Sequence, residues 1–245
     1  MKLRSLFFAA SLVLFVTSCK SGSSSDNTTV TTVGSDYLPL SENQVTSFRV
    51  QGQETHYDGN GSIFQQDNFD QTGKTIVSAL QSRFGLSVFP IHVIDFDGGT
   101  ANHGNPVCYL GVQDGMVFGL NTFNTDLGTV LSKDVSTSKS WVGSFVTLPR
   151  YSTQGTVEAE IPKYINSTSQ IYSNVLPIHI LYNDSTSDSY TSTKVTCEAR
   201  AYLAKGVGIV GADIIKHEKI SYYLTGPNVT VAERHVITGT IGRSN

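Results

Sequence analysis

A period of two, returning in segment after segment, restricts this chain more than any other feature. In VTSFRVQ (45–51) Val45, Ser47 and Arg49 fall on one face, and Thr46, Phe48 and Val50 on the other. That is the pattern of a strand with one buried face. GLSVFPIHVIDF (85–96), KSWVGSFVTL (139–148), GTVEAEI (155–161), LPIHILYN (176–183), STKVTCEARAYL (192–203), KISYYLTG (219–226) and NVTVAERHVITGTI (228–241) also read as strands. Their β-branched and aromatic side chains suit a pleated surface, and Gly, Asn and Asp punctuate them. YDGNGS (57–62) is a hairpin turn. Such a chain is expected to be all-β and mainly antiparallel, an open curved sheet or half-barrel with at most one or two short helices.

One segment departs from this pattern. In GKTIVSALQSRFG (73–85), Ile76, Val77, Ala79, Leu80 and Phe84 recur at helical spacing, with Gly85 placed as a stop. A short helix is expected there. TGKT (72–75) then reads as the turn leading into it. It is no P-loop, because position 68 is Asn where the phosphate loop needs Gly.

Two stretches resemble each other. FPIHVIDF at 89 and LPIHILYN at 176 align at a spacing of 87 residues, and YLGVQDGMV (109–117) and YLAKGVGIV (202–210) at a spacing of 93. A β unit used twice and a chance likeness between similar strands both account for this.

Three motifs fail in their context. GVGIVG (206–211) has dinucleotide-turn spacing, but that fingerprint must open a βαβ unit. Here strands follow it, and 34 residues remain. It reads as a hairpin between strands. HEKIS (217–221) has Ser where a zinc-protease helix needs its second His, and it lies on a strand. The six histidines, at 56, 92, 103, 179, 217 and 235, show no metal-ligand spacing along the chain, so no metal or cofactor is expected. The acidic stretches DFDGG (95–99) and YNDSTSD (182–188) lack the cadence of a calcium loop and read as turns.

The N-terminus carries address information. Lys2 and Arg4 precede an apolar run, Leu6 to Val16, too short for a comfortable membrane span. Val16-Thr17-Ser18-Cys19 resembles the lipobox of bacterial lipoproteins. The resemblance implies cleavage after residue 18 and acylation of Cys19, with several acyl chains at about 0.8 kcal/mol per buried CH₂ holding the protein to a membrane. Lys20, where Asp would signal inner-membrane retention, points to the outer membrane in a host that has one. Losing Lys2 and Arg4 takes the formal charge from −3 to −5, with no basic run left to attract nucleic acid. Residues 19–36 form a Ser/Thr-rich tether reaching roughly 20–25 Å, and 37–245 a single β-rich domain.

Acylation of Cys19 leaves Cys108 and Cys197, an even pair in an oxidising compartment. A disulfide between them and two buried thiols are both open. DYLPLSENQVTSFRV (36–50) and YLAKGVGIV (202–210) together resemble a loose class of β-rich bacterial envelope lipoproteins of unknown function. The resemblance implies an antiparallel β body and brings no catalytic residues with it. The expected protein is therefore a non-enzymatic, lipid-anchored envelope protein presenting a sheet surface to a protein or glycan partner. The alternative is a carrier holding a lipid or acyl chain in a concave face.

Overall fold

The computed structural model describes residues 33–94, 105–120, 127–143, 152–222 and 231–244. The signal, Cys19 and the tether up to residue 32 lie outside these residues, as do DFDGG and the ends of the segments expected at 139–148, 219–226 and 228–241.

Among the described residues, one four-residue helix, α1 (Gly34–Tyr37), precedes fourteen strands. The first seven are β1 (Gln44–Tyr57), β2 (Ile63–Val77), β3 (Gln81–Arg83), β4 (Leu86–Ile94), β5 (Cys108–Gln113), β6 (Met116–Leu120) and β7 (Leu127–Leu131). The second seven are β8 (Ser140–Gly143), β9 (Ser152–Val157), β10 (Ile161–Ile165), β11 (Ile171–Ser187), β12 (Thr191–Ala204), β13 (Gly208–Tyr222) and β14 (Val231–Ser244). The main path runs β7-β6-β5-β4-β2-β1-β14-β13-β12-β11-β9-β8, with β3 added beside β4 and β10 beside β11. All pairings are antiparallel. The path curls until its two ends, β7 and β8, are neighbours, so the sheet is nearly a barrel with one seam.

The second half repeats the first strand for strand. Adding seven to each strand number turns 7-6-5-4-2-1 into 14-13-12-11-9-8. The registers agree as well. Val77↔Ile91 and Ile91↔Cys108 in the first half correspond to Val157↔Ile178 and Ile178↔Ala201 in the second. Pro90↔Tyr109 and Pro177↔Tyr202 are likewise equivalent. The short added strands match too: Gln81 faces Val88, Ile161 faces Val175, and both valines are fully buried. Each added strand covers an outward tyrosine. The Arg83 guanidinium lies 4.3 Å from the Tyr109 ring centre, and the Tyr164 ring stacks on Tyr202 at 4.2 Å. Of the two accounts the sequence left open, the twice-used unit is the one that register supports.

The helix expected within 73–85 does not form. Gly73, Thr75 and Val77 are buried while Lys74 is exposed, the alternation of a strand. They continue β2 between β1 and β4. TGKT lies inside that strand and is not a turn. The β-branched run Thr75-Ile76-Val77 favours this outcome, and the ladders on both sides outweigh a local apolar spacing. Phe84 and Gly85 both have positive φ, 52° and 78°, as the two central residues of a tight hairpin between β3 and β4. YDGNGS is the hairpin connection between β1 and β2 as expected; of GVGIVG, Gly206 and Val207 lie in the hairpin between β12 and β13, and residues 208–211 open β13. The turn expected within 182–188 comes later. β11 runs on to Ser187, and Asp188 accepts hydrogen bonds from the Tyr190 and Thr191 N–H groups.

Inward side chains fill the lower barrel. Phe48, Ile91, Leu110, Ile241 and Val157 are all less than 2 % exposed or at that limit and belong to one cluster drawn from both halves. Tyr37 and Leu38, at and just after α1, join this core. The helix closes the base. Gly34 N–H donates to the Lys133 carbonyl (3.0 Å), Ser35 N–H to Gly115 (2.9 Å), and Gly206 N–H to Asp36 (2.8 Å). These bonds tie α1 to the equivalent hairpins of both halves. The outward face of β1 and β2 is polar: Arg49 pairs with Asp70 at 2.6 Å, and Gln53 bonds Asn68.

Candidate functional site

At the end opposite α1 the inward face changes character. Along β1, inward positions run Gln44, Thr46, Phe48, Val50, Gly52, Glu54, His56, so apolar packing gives way to Glu and His near the mouth. The change comes at a shelf of glycines. Gly52 pairs with Gly239, and a Cβ at Gly52 would sit 2.5 Å from Phe69 Cζ. The Phe69 ring thus occupies the space above that shelf and separates the core from the polar mouth.

Above Phe69 two short motifs face each other, Glu54-Thr55-His56 on β1 and Glu233-Arg234-His235 on β14. Residues two apart on a strand share a face. The register places His56 directly opposite His235, so a Glu flanks the histidine pair on each side. The imidazole centres are 4.1 Å apart, tilted by 52°. His56 Nε2 lies 3.3 Å from Glu54 Oε1, and His235 Nε2 lies 3.5 Å from Glu233 Oε2. One ligand atom from each of Glu54, His56 and His235 falls within 4.8 Å of the others. A register shift between His56 and Tyr57, opposite Phe64, brings the Phe64 ring to 5.8 Å from His56. Bulges often re-aim side chains in this way near functional sites.

The surroundings are charged. Glu218 on β13 is cross-strand neighbour to His235, and Lys216 Nζ lies 3.2 Å from Glu218 Oε2. Tyr222 stands near Glu233, and burial together with that carboxylate pushes its phenol pKa up. His235 is 9 % exposed, and its Nε2 is buried without a hydrogen-bond partner. A buried polar atom of this kind is uncommon in folded proteins.

Among the described residues, the other histidines are not part of this cluster. His92 and His179 occupy equivalent places on β4 and β11. His179 Nε2 meets Glu198 at 2.9 Å on the outer face, and burial holds the His92 pKa below its usual value. Cys108 and Cys197 lie on β5 and β12 as free thiols in the main core, and burial pushes both to about 12. Sequence spacing did not reveal the histidine cluster, because 179 residues separate His56 from His235. The legible signal was Glu-x-His occurring twice, each time on an alternating strand.

No family model matches the chain, and no curated protein does. Among solved structures, a "putative lipoprotein" from Parabacteroides distasonis aligns over 81 % of this chain and 95 % of its own, at 11 % identity and a TM-score of 0.33. A mutant of the Rh. blastica porin aligns over 82 % of this chain and 99 % of its own, at 9 % identity and a TM-score of 0.23. Neither likeness carries functional information to this chain.

Proposed function

We propose that this is an exported envelope lipoprotein, held to a membrane through acylated Cys19, that works by binding at the polar mouth of its barrel and not by catalysis. The observation that carries the reading is the polarity of the barrel along its axis. The chain enters at the base, where α1 is bonded to hairpins of both halves. The Glu–His cluster lies at the far end, so an anchor preceding α1 leaves the mouth turned outward toward partners. The filled lower interior speaks for a surface-presenting protein over an acyl-chain carrier, because Phe48, Leu110, Ile91 and Ile241 take up the space a lipid tail would need.

The test is native mass spectrometry of the full chain, gently extracted, beside its Cys19→Ser variant. The expected result is acyl mass on the wild type, and a soluble Cys19→Ser protein with no lipid-sized adduct. A wild type without acyl mass would remove the anchor. A stoichiometric lipid on Cys19→Ser would replace this reading with the carrier.

A further inference from the structure

We propose that Glu54, His56 and His235 form a binding site for a divalent transition metal of the zinc type, with the Glu233 carboxylate beside His235. The inference goes beyond the envelope reading and does not depend on the anchor.

The first argument is donor chemistry. Two imidazoles and a carboxylate suit Zn²⁺, which binds His nitrogen and Glu oxygen at about 2.0–2.2 Å, commonly with tetrahedral geometry. Bonds of that length place neighbouring ligand atoms roughly 3.3–3.5 Å apart. The two Glu–His separations, 3.3 Å and 3.5 Å, match that edge. Both exceed the usual length of a strong charge-assisted hydrogen bond, about 2.7–2.9 Å. The outer-face pair His179–Glu198, by contrast, closes to 2.9 Å.

The second argument is the unpartnered nitrogen. His235 Nε2 is shielded from solvent and makes no hydrogen bond, yet it is one of the atoms that converge in the cluster. A metal ion would satisfy it, where the Glu233 carboxylate at 3.5 Å makes no hydrogen bond to it. The third is charge. Glu54, Glu233 and Glu218 face the histidine pair, and Lys216 is engaged with Glu218. Among the described residues, a dication therefore meets a net negative charge. The fourth is support. β1 and β14 are paired without interruption from Ser47↔Ser244 to Tyr57↔Arg234, and Phe69 lies beneath, so the donors sit on rigid strands.

The experiment is calorimetric titration of the metal-stripped full chain, purified in detergent without a histidine tag, with Zn²⁺. One equivalent should bind. His235→Gln and His56→Gln should each weaken binding by about 100-fold or more, and Glu54→Gln by about 10–100-fold. His179→Gln should bind as the wild type does. Co²⁺ in place of Zn²⁺ should give the intense visible absorption of a tetrahedral site. Absence of a stoichiometric equivalent on the wild type overturns the proposal. So does wild-type affinity in His56→Gln or in His235→Gln, or a Co²⁺ spectrum like that of the hexaaquo ion. Far-UV circular dichroism and melting of the metal-free variants separate lost ligands from lost fold. His235→Gln gives up a 3.5 Å approach to Glu233 and the ring contact with His56, and no hydrogen bond of Nε2, so the stripped variant should still unfold in one cooperative transition.

Discussion

The two halves of this protein meet twice, and the two meetings differ. At one junction β1 and β14, fourteen residues each, are paired along eleven positions. At the other, the strands in the equivalent places are β7 and β8, only five and four residues long. They lie side by side, and among the described residues no ladder joins them. A repeated unit would place the same feature at both junctions. Here only the β1–β14 junction is long enough to reach past the core, and the Glu-x-His motifs occupy that extra length. Repetition supplies the barrel, and departure from repetition supplies the site.

The sharpest way to break this comparison is to truncate a buried side chain at one junction and an outer one at the other. Ile241→Ala, in the β1–β14 core, should cost about 2–5 kcal/mol of stability. Val142→Ala at the seam, where the side chain is 75 % exposed, should stay within about 0.5 kcal/mol. Urea unfolding of the two variants decides it, and equal losses would mean that the seam is as tightly built as the ladder.

A smaller effect is expected at the shelf beneath the mouth. Gly52→Ala should cost about 1–3 kcal/mol, because the new methyl meets the Phe69 ring and the Thr238 carbonyl. Adding Phe69→Ala should cost less than the two single losses together, since the part of the clash made with the ring is then gone while that with the Thr238 carbonyl remains. Strict additivity in a double-mutant cycle would show that Phe69 does not sit over the glycines.

The buried thiols give a kinetic test. With both pKa values pushed to about 12, Cys108 and Cys197 should resist alkylation in the native protein at neutral pH. Both should label once the chain is unfolded without reductant. Labelling that requires reductant would establish a bridge between them.

The smallest effect concerns the equivalent histidines of the two halves. Burial lowers the His92 pKa below its value of 6.5, so the unfolded chain takes up the proton first as pH falls. The stability from neutral His92 is complete above about pH 6.5 and is lost as pH falls toward the depressed folded value. His92→Gln should therefore lose less stability than the wild type between about pH 7.5 and about pH 5.5. Urea midpoints at the two pH values measure it, and parallel losses would remove His92 as a source of the slope.

Much of this architecture was legible before the fold was known. Alternation in 45–51, 176–183 and 192–203 marked strands whose inward members, Phe48, Val50, Ile178 and Ala199 among them, are buried. The likeness between FPIHVIDF and LPIHILYN marked the repeat, although only the shared register could separate it from coincidence. The segment 73–85 misled because apolar side chains at 76, 77, 80 and 84 satisfy a helical period by chance. Ladders to β1 and β4 then claimed the backbone.

By itself the sequence determined the class of fold, the positions of most turns and the likeness of the two halves. Each of these follows from local chemistry: a period of two, β-branched side chains, and residues that tolerate positive φ. Tertiary structure decided the closure of the sheet, the docking of α1 across both halves and the meeting of His56 with His235. These depend on antiparallel register between distant strands. A shift of one residue would send every side chain of a strand to the opposite face.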